Sequence, residues 1–527
     1  MRQPFAAECT SPSPIVVQYG GNKNTGASSY WRNRLCEVGL ILSMLCYYVV
    51  GNPNLPSGFL ASLNPLFALP FLLLFALFAW YRLPFAIALL PLSLPYYLYQ
   101  KNIVGNIRFS LTEITLATCV IIAVLQLLFL QNERRSWLAW SAWRARLGPF
   151  IVPILLFMTA AAVSITVAYS QTNALRALRE EVCDPLLYLG LVLLYLRTRE
   201  DLNRLIFALL GTGLSVALLG AIQYFFFKNT LVLEDGVRRV HAVYGSANSI
   251  GLLFNYILPI AFAWLLGRVC WKNRALALAL CLPMLLVLFL TQSLGAWVAI
   301  AVATLFVLVC SMRQRKFLLI GSGVLLVLLA VFIVAFHTQI LHYVTLRHSG
   351  NGVSTVTKRI YLWQSALQMI HDSPWLGYGM DNWLCHYSRN TVCFSTIHHY
   401  WIINAPTTGL PTGLHDEPNL SHPHDIFLHV WVSMGIFGLL ALIAVLGLFY
   451  WLFARILRHL HTATVEQSAQ LRWMTVGIAA AMLAALGQGL VDSAFLEQDL
   501  SFCFWILIAA LLLLRTLSGT SWRGEKA

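Results

Sequence analysis

Charge is what this chain lacks. Of its 527 residues only 11% are Asp, Glu, Lys or Arg, against 59% that are hydrophobic, and the mean hydropathy is +0.71. That scarcity excludes an ordinary soluble domain, in which about a quarter of residues are charged. Also missing are a Walker phosphate loop, a Gly-rich dinucleotide fingerprint and a paired CxxC, so nothing points to nucleotide hydrolysis or a redox cofactor. There is no fixed-period repeat, no heptad run and no low-complexity tract. Nor does a pair of carboxylates of the kind used in glycoside hydrolysis stand out.

What the chain has instead is apolar runs, almost end to end. A bilayer core about 30 Å thick takes roughly 20 residues per helical crossing. Candidate spans fall near residues 35–51, 58–80, 83–100, 114–131, 148–168, 183–196, 205–227, 249–267, 275–292, 295–311, 317–337, 426–454, 473–491 and 500–514. The expected fold is therefore an all-α polytopic membrane protein of about 12–14 transmembrane helices. The weakest members are the third, which carries Pro84, Pro91 and Pro95, the short sixth, and the ninth and tenth, divided only by "TQSLG". The polar stretch ahead of the first span shows no cleavable signal pattern, which makes that span a retained signal anchor.

A formal net charge of +14 raises the question of nucleic acid, but the placement of Lys and Arg answers it. With the N-terminus inside, alternate loops collect most of the cations, among them Arg134, Arg135, Arg144 and Arg146, then Arg268, Lys272 and Arg274, then Arg455, Arg458 and Arg472. This is the positive-inside pattern, which puts both termini in the cytoplasm and leaves no basic patch for nucleic acid. The partners it predicts on that side are membrane lipids. The implied division is a cytoplasmic tail 1–34, helices over 35–337, a loop domain 338–425 outside the cytoplasm, helices over 426–514 and a cytoplasmic tail 515–527. A loop of that length is where a task is expected. Of eleven cysteines, Cys385 and Cys393 fall in it, and an oxidising compartment would let them pair.

Arginines on the far side of the membrane resist the charge pattern, and they form the first set of candidates: Arg176, Arg238, Arg239 and Arg359. Singly, each reads as a solvated cation; together, bidentate guanidiniums suit a lipid phosphate or diphosphate. In "KRIYLWQSALQMIHDSP" the residues Ile360, Trp363, Leu367 and Ile370 share one helical face, predicting an amphipathic helix lying on the membrane surface with Arg359 at its start. Asn248, in "VYGSANSIG", stands just before a span among small residues and reads equally as a helix cap.

The second set sits in "SHPHDIFLHVWVSMGIFG", where His422, His424 and Asp425 stand at the threshold of an apolar run. Asp425 reads as a helix cap and the histidines as structural, ligating or catalytic. A metal site draws on "HPHD" and "LHDEP", but the ligand spacing is irregular, so no metal and no cofactor are expected. If a sugar leaves a lipid diphosphate, the leaving group is already an anion, and one imidazole base plus several arginines would suffice.

The stretch from His424 resembles the signature of the O-antigen ligase and polymerase superfamily: His, then usually Asn, Ser or Gln, nine residues, Gly, two residues, Gly. His424, Gly435 and Gly438 match in register, and Asp425 departs at the second position. "RVHAVYGSANSIG" is similar to the family segment in which Arg precedes Asn by nine residues, pointing to Arg239 and Asn248; "KRIYLWQSALQMIHDSPWLGYG" resembles the stretch before the signature and points to Arg359. Where many members read Ser-Arg-Gly, this chain reads Ser293-Leu294-Gly295.

The resemblance implies a GT-C-like fold with one large periplasmic loop domain, and a metal-independent inverting glycosyltransferase in the bacterial inner membrane. The donor would be an undecaprenyl-diphosphate-linked glycan, with His424 as base and Arg239 and Arg359 holding the diphosphate; Arg238 and Arg176 are added from topology alone. Lipid A core is the expected acceptor, as for an O-antigen ligase. A polymerase or a protein O-glycosylating enzyme shares the signature. A flippase for lipid-linked sugars is the rival of another class, although it would place polar groups mid-membrane or show duplicated halves.

Overall fold

The computed structural model describes residues 26–52, 60, 62–104, 107–129, 139–234, 237–267, 270–311, 355–387, 400, 422–462 and 465–522. The expected eleventh span and most of the long loop, with Cys393, His415 and the "LHDEP" stretch, lie outside the described residues.

Among the described residues nine helices are long and apolar enough to cross a membrane: Leu111–Phe129, Trp140–Val167, Arg199–Phe226, Ala247–Leu266, Trp271–Thr291, Leu294–Ser311, Ile426–His461, Ala469–Gly489 and Gln498–Ser518. The chain is an all-α multi-pass membrane protein. The doubtful spans behave as their sequences suggest. The third is a broken pair, Leu83–Leu89 followed by the tighter turn Leu90–Tyr96, because its prolines remove donors and clash with the preceding turn. The sixth is the short helix Asp184–Tyr195, entered through a π-helical stretch, Leu178–Cys183. The ninth and tenth are separate helices, divided at Gln292, whose backbone is left-handed (φ 52).

Lipid offers no hydrophobic drive for helix to join helix, so packing falls to small residues. Helices Ala247–Leu266 and Val465–Gly489 meet where Gly477 lies against Ala263 and Ile260, while Gly251 faces Ala296 of helix Leu294–Ser311. A polar pair also joins the first two of these helices inside, a 2.5 Å bond from Asn255 Nδ2 to Gln488 Oε1. At the centre stands Gln498–Ser518, buried along nearly its whole length. Two short antiparallel hairpins interrupt the helices, one of them pairing Val232–Glu234 with Val237–Arg239.

The amphipathic helix forms over Thr355–Asp372, and it packs on protein through a stripe that only partly coincides with the apolar face assigned to the membrane. Leu362, Ala366, Met369 and Ile370 are buried, whereas Ile360 is 41% and Leu367 54% exposed. Protein contacts decide the rotation: this helix builds a small separate core with Trp383, Tyr387, Tyr400 and Val432.

The helix Ile426–Thr462 is broken at Gly435, which takes φ 71, ψ −172. The segment 374–379 fits into the break. Tyr378 N donates to Val432 O (2.7 Å), Gly379 N to Ser433 O (3.1 Å) and Ile436 N to Pro374 O (2.9 Å). A backbone opened at membrane depth must find partners within the protein, and here the loop supplies them. Only glycine permits it: a Cβ at Gly435 would collide with the Trp375 carbonyl, and one at Gly377 (φ +70) with that of Val432.

Gly435→Ala is expected to lower thermal stability in detergent sharply, by several kcal/mol, because steric collision and positive φ act together. Gly447→Ala, in the same helix with nothing within 4 Å of its Cβ position, should leave the melting temperature unchanged or raise it slightly. Equal melting curves for the two variants would contradict this account of the break.

Candidate active site

The threshold residues are placed by the start of the broken helix. Asp425 Oδ1 accepts from Phe427 N (2.9 Å) and Leu428 N (2.8 Å), so this side chain is spent on capping. Just before it, His424 adopts a left-handed backbone (φ 53), uncommon for a residue with a side chain. That turn directs the imidazole toward Asp492, in the loop between the last two helices. His424 Nδ1 lies 2.7 Å from Asp492 Oδ1. The His424 backbone is held on both sides: its N donates to His422 Nδ1 (3.3 Å), and its O accepts from Trp363 Nε1 (3.4 Å).

Burial alone would raise the Asp492 carboxyl. The charge and hydrogen bond of His424, with His422 and the Arg359 guanidinium, outweigh it and hold the group at about 2. An ionised Asp492 fixes the proton of the imidazole on Nδ1 and leaves Nε2 as an acceptor. Arg359 sits one turn before Trp363 on the amphipathic helix, half-buried, with no hydrogen bond among the described residues. Its cationic head is thus uncommitted and within electrostatic reach of the His424–Asp492 pair.

His422 packs edge-on against His424 (ring centroids 4.5 Å) and stacks on His429 (5.5 Å), which bonds through Nδ1 to Ser493 Oγ at 2.7 Å. Burial, then the neighbouring imidazoles, hold the His422 ring well below its ordinary value, so it is neutral. Glu497 lies 3.6 Å from His422 Nε2. Burial, followed by Asp499, Asp492 and Glu181, pushes its carboxyl well above the usual range. That contact is therefore between neutral groups rather than ions.

Ligand atoms of His422, His424 and Asp492 all lie within 4.8 Å of one another. Two imidazoles and a carboxylate suit a transition-metal ion. Such an ion would have to part the 2.7 Å bond between His424 and Asp492, whereas as a hydrogen-bonded pair the two are already satisfied.

Arg239 and Asn248 meet as their nine-residue spacing suggests. Arg239 donates through Nη2 to Asn248 Oδ1 (2.7 Å) and through Nε to Thr291 O (2.7 Å). Asn248 is not the helix cap; that place is taken by Ser246, which accepts from Asn248 N at 3.2 Å. One turn further, Gly251 faces Ser293 and Gln488, and Gln488 lies a turn before Asp492. Arg239 therefore stands at the same end of the bundle as His424 without touching it. Arg238, next along the hairpin, is exposed and on the opposite face. Arg176 is paired elsewhere: its Nη2 lies 3.0 Å from Asp381 Oδ2, the arginine side chain 59% and the aspartate 35% exposed.

Asp492 was not legible as a site residue in the chain. The available signal was an acidic residue closing an apolar run in "LGQGLVDSAF", but nothing in the chain links it to a histidine 68 positions earlier. Trp363, His429, Ser493 and Glu497 were likewise visible only through contact.

No curated protein matches the chain. A family model described as O-antigen ligase matches residues 277–443, a stretch that holds Arg359, His424 and both glycines of the signature. Over this stretch the chain is similar to the O-antigen ligase family.

Proposed function

We propose that this protein is an inverting glycosyltransferase that moves a glycan from an undecaprenyl-diphosphate carrier to an acceptor hydroxyl at the periplasmic face of the bacterial inner membrane, acting as an O-antigen ligase on lipid A core. The observation that carries this reading is the His424–Asp492 pair, its Nε2 unspent, facing the uncommitted Arg359. Both termini lie in the cytoplasm, and residues 338–425 form the periplasmic catalytic loop domain. A disulfide at Cys385, whose partner lies outside the described residues, supports an oxidising compartment for that segment.

In this mechanism His424 Nε2 takes the proton of the acceptor hydroxyl as its oxygen attacks the anomeric carbon from the face opposite the diphosphate. The bond to the diphosphate breaks in the same displacement, inverting the centre. The imidazolium so formed is stabilised by Asp492, which also fixes the ring's tautomer and orientation. The leaving group departs as an anion, so it needs charge stabilisation rather than a proton donor. Arg359 and Arg239 supply it, the second braced by Asn248. Arg238 is close enough in sequence to guide the headgroup. Arg176, already paired with Asp381, would have to exchange partners to contribute. His422 and Asp425 hold the base in place and do not react.

His424→Ala should lower transfer by about 10²–10⁴ while membrane levels of the protein stay normal, as read from surface glycans of cells lacking the native gene product. Loss of capped lipid A with lipid-linked polymer accumulating is the ligase outcome; accumulation of single repeat units would instead indicate a polymerase. Unchanged transfer would remove the base assignment. Arg359→Lys keeps the charge but loses the bidentate fork, and a drop of about tenfold or more is expected; full activity there would exclude a diphosphate contact of that geometry.

Asp492→Asn tests the pair by pH. A carboxyl depressed to about 2, against an ordinary value near 3.9, contributes stability that is fully present above about pH 4 and lost as pH falls toward 2. The gap in melting temperature between the native protein and Asp492→Asn should therefore be constant from pH 5 to 8 and close below about pH 4. A gap independent of pH down to the acid limit would show that Asp492 is not the ionised partner.

A further inference from the structure

A cleft of about 420 Å³ opens at the end of the amphipathic helix remote from Arg359, lined by Leu367, Gln368, His371, Asp372 and Tyr400. We propose that it is a glycan subsite, holding sugar units of the donor or acceptor chain at a distance from the reacting bond. The proposal rests on the glycosyltransferase reading above.

The polar wall of the cleft is organised beforehand. Tyr400 Oη donates to Asp372 Oδ2 at 2.7 Å, and Tyr378 Oη lies 2.7 Å from Tyr400 Oη. His371 Nδ1 is 3.0 Å from Asp372 Oδ1. The Asp372 side chain stays 49% exposed, so its carboxylate can be reached by incoming hydroxyl donors. The Gln368 amide makes no hydrogen bond among the described residues and offers both donors and an acceptor. His371, its side chain 88% exposed, adds a second ring nitrogen. Leu367 supplies an apolar shelf, 54% exposed.

Donors and acceptors in nearly equal supply beside a small apolar surface match a neutral, hydroxyl-rich ligand with a C–H face, which is a saccharide. An anion would meet Asp372, and an acyl chain would leave these polar groups without partners. The volume falls in the range of small-ligand pockets, roughly 300–1,000 Å³.

Position adds to chemistry. From Arg359 to His371 is twelve residues, about 18 Å of helix at 1.5 Å each. Ile360, Gln364, Gln368 and His371 are exposed at spacings of four, four and three, so they share one face. A polysaccharide leaving the reacting centre can follow that face into the cleft.

The test uses the full chain in detergent micelles and, as probe, lipid-free oligosaccharides of increasing length released by mild acid from the host cell's lipid-linked glycan. Titration calorimetry should show affinity rising with length. Gln368→Ala and His371→Ala, exposed and far from the reacting groups, should each weaken binding of the longer oligosaccharides by about tenfold. The same variants should raise KM about tenfold for long-chain substrate while kcat and the KM for a single-repeat substrate stay constant. A KM rise confined to the lipid-linked donor assigns the cleft to the donor chain, and one confined to the acceptor assigns it there.

His424→Ala should bind the oligosaccharides normally. If that variant still transfers sugar, the base assignment falls while the binding measurement stands. Affinity that is independent of length, or an unchanged KM in both variants, overturns the subsite.

Discussion

The break at Gly435 is the constraint on which the candidate site of this protein depends. A continuous helix would satisfy its own backbone and have no need of the segment 374–379. Opening it exposes carbonyls and amides where water is scarce, and their partners come from a loop that continues the amphipathic helix Thr355–Asp372. The two halves of the site are thereby tied backbone to backbone. One carries Arg359 and Trp363, the other His424, and the indole of Trp363 bonds the carbonyl of His424 itself.

This arrangement gives the family signature a physical reading. The histidine and the first glycine of the signature are the start and the break of one helix, and the glycines of "PWLGYG" are where the incoming backbone passes close beneath it. Spacing between them is a matter of helical rise, since residue 435 must lie deep enough to receive the loop while residue 424 stays at the surface. The second position is less constrained: Asp425 caps the helix, a task that Asn or Ser performs as well.

Electrostatics divide the same end of the bundle into two regions. Around His424 lie arginines, one with no hydrogen bond among the described residues and one braced by Asn248. Beyond His422 lies Glu497, whose carboxyl is raised far above its usual range by burial and then by Asp499, Asp492 and Glu181. An anionic leaving group would be drawn toward the first region, where the guanidiniums lie. Asp492 stands on the boundary, ionised because imidazoles and a guanidinium face it.

The membrane-spanning helices were legible in the chain by themselves, because a helix in lipid must be apolar along its length. So were His424, Arg359 and the Arg239–Asn248 pair, since each belongs to a short motif whose members lie within one or two helical turns or a single hairpin and its following helix. The face on which the amphipathic helix lies was not. Ile360 and Leu367 are as apolar as the residues that are buried, and only the position of Trp383, Tyr387 and Val432 decides between the two stripes. Nor was the partner of the histidine, because a carboxylate 68 residues away can be brought to 2.7 Å only by the packing of the last three helices. Local sequence determined which helices form and which side chains stand at their ends; the meeting of those ends, which builds the candidate site, was decided by contacts between elements far apart in the chain.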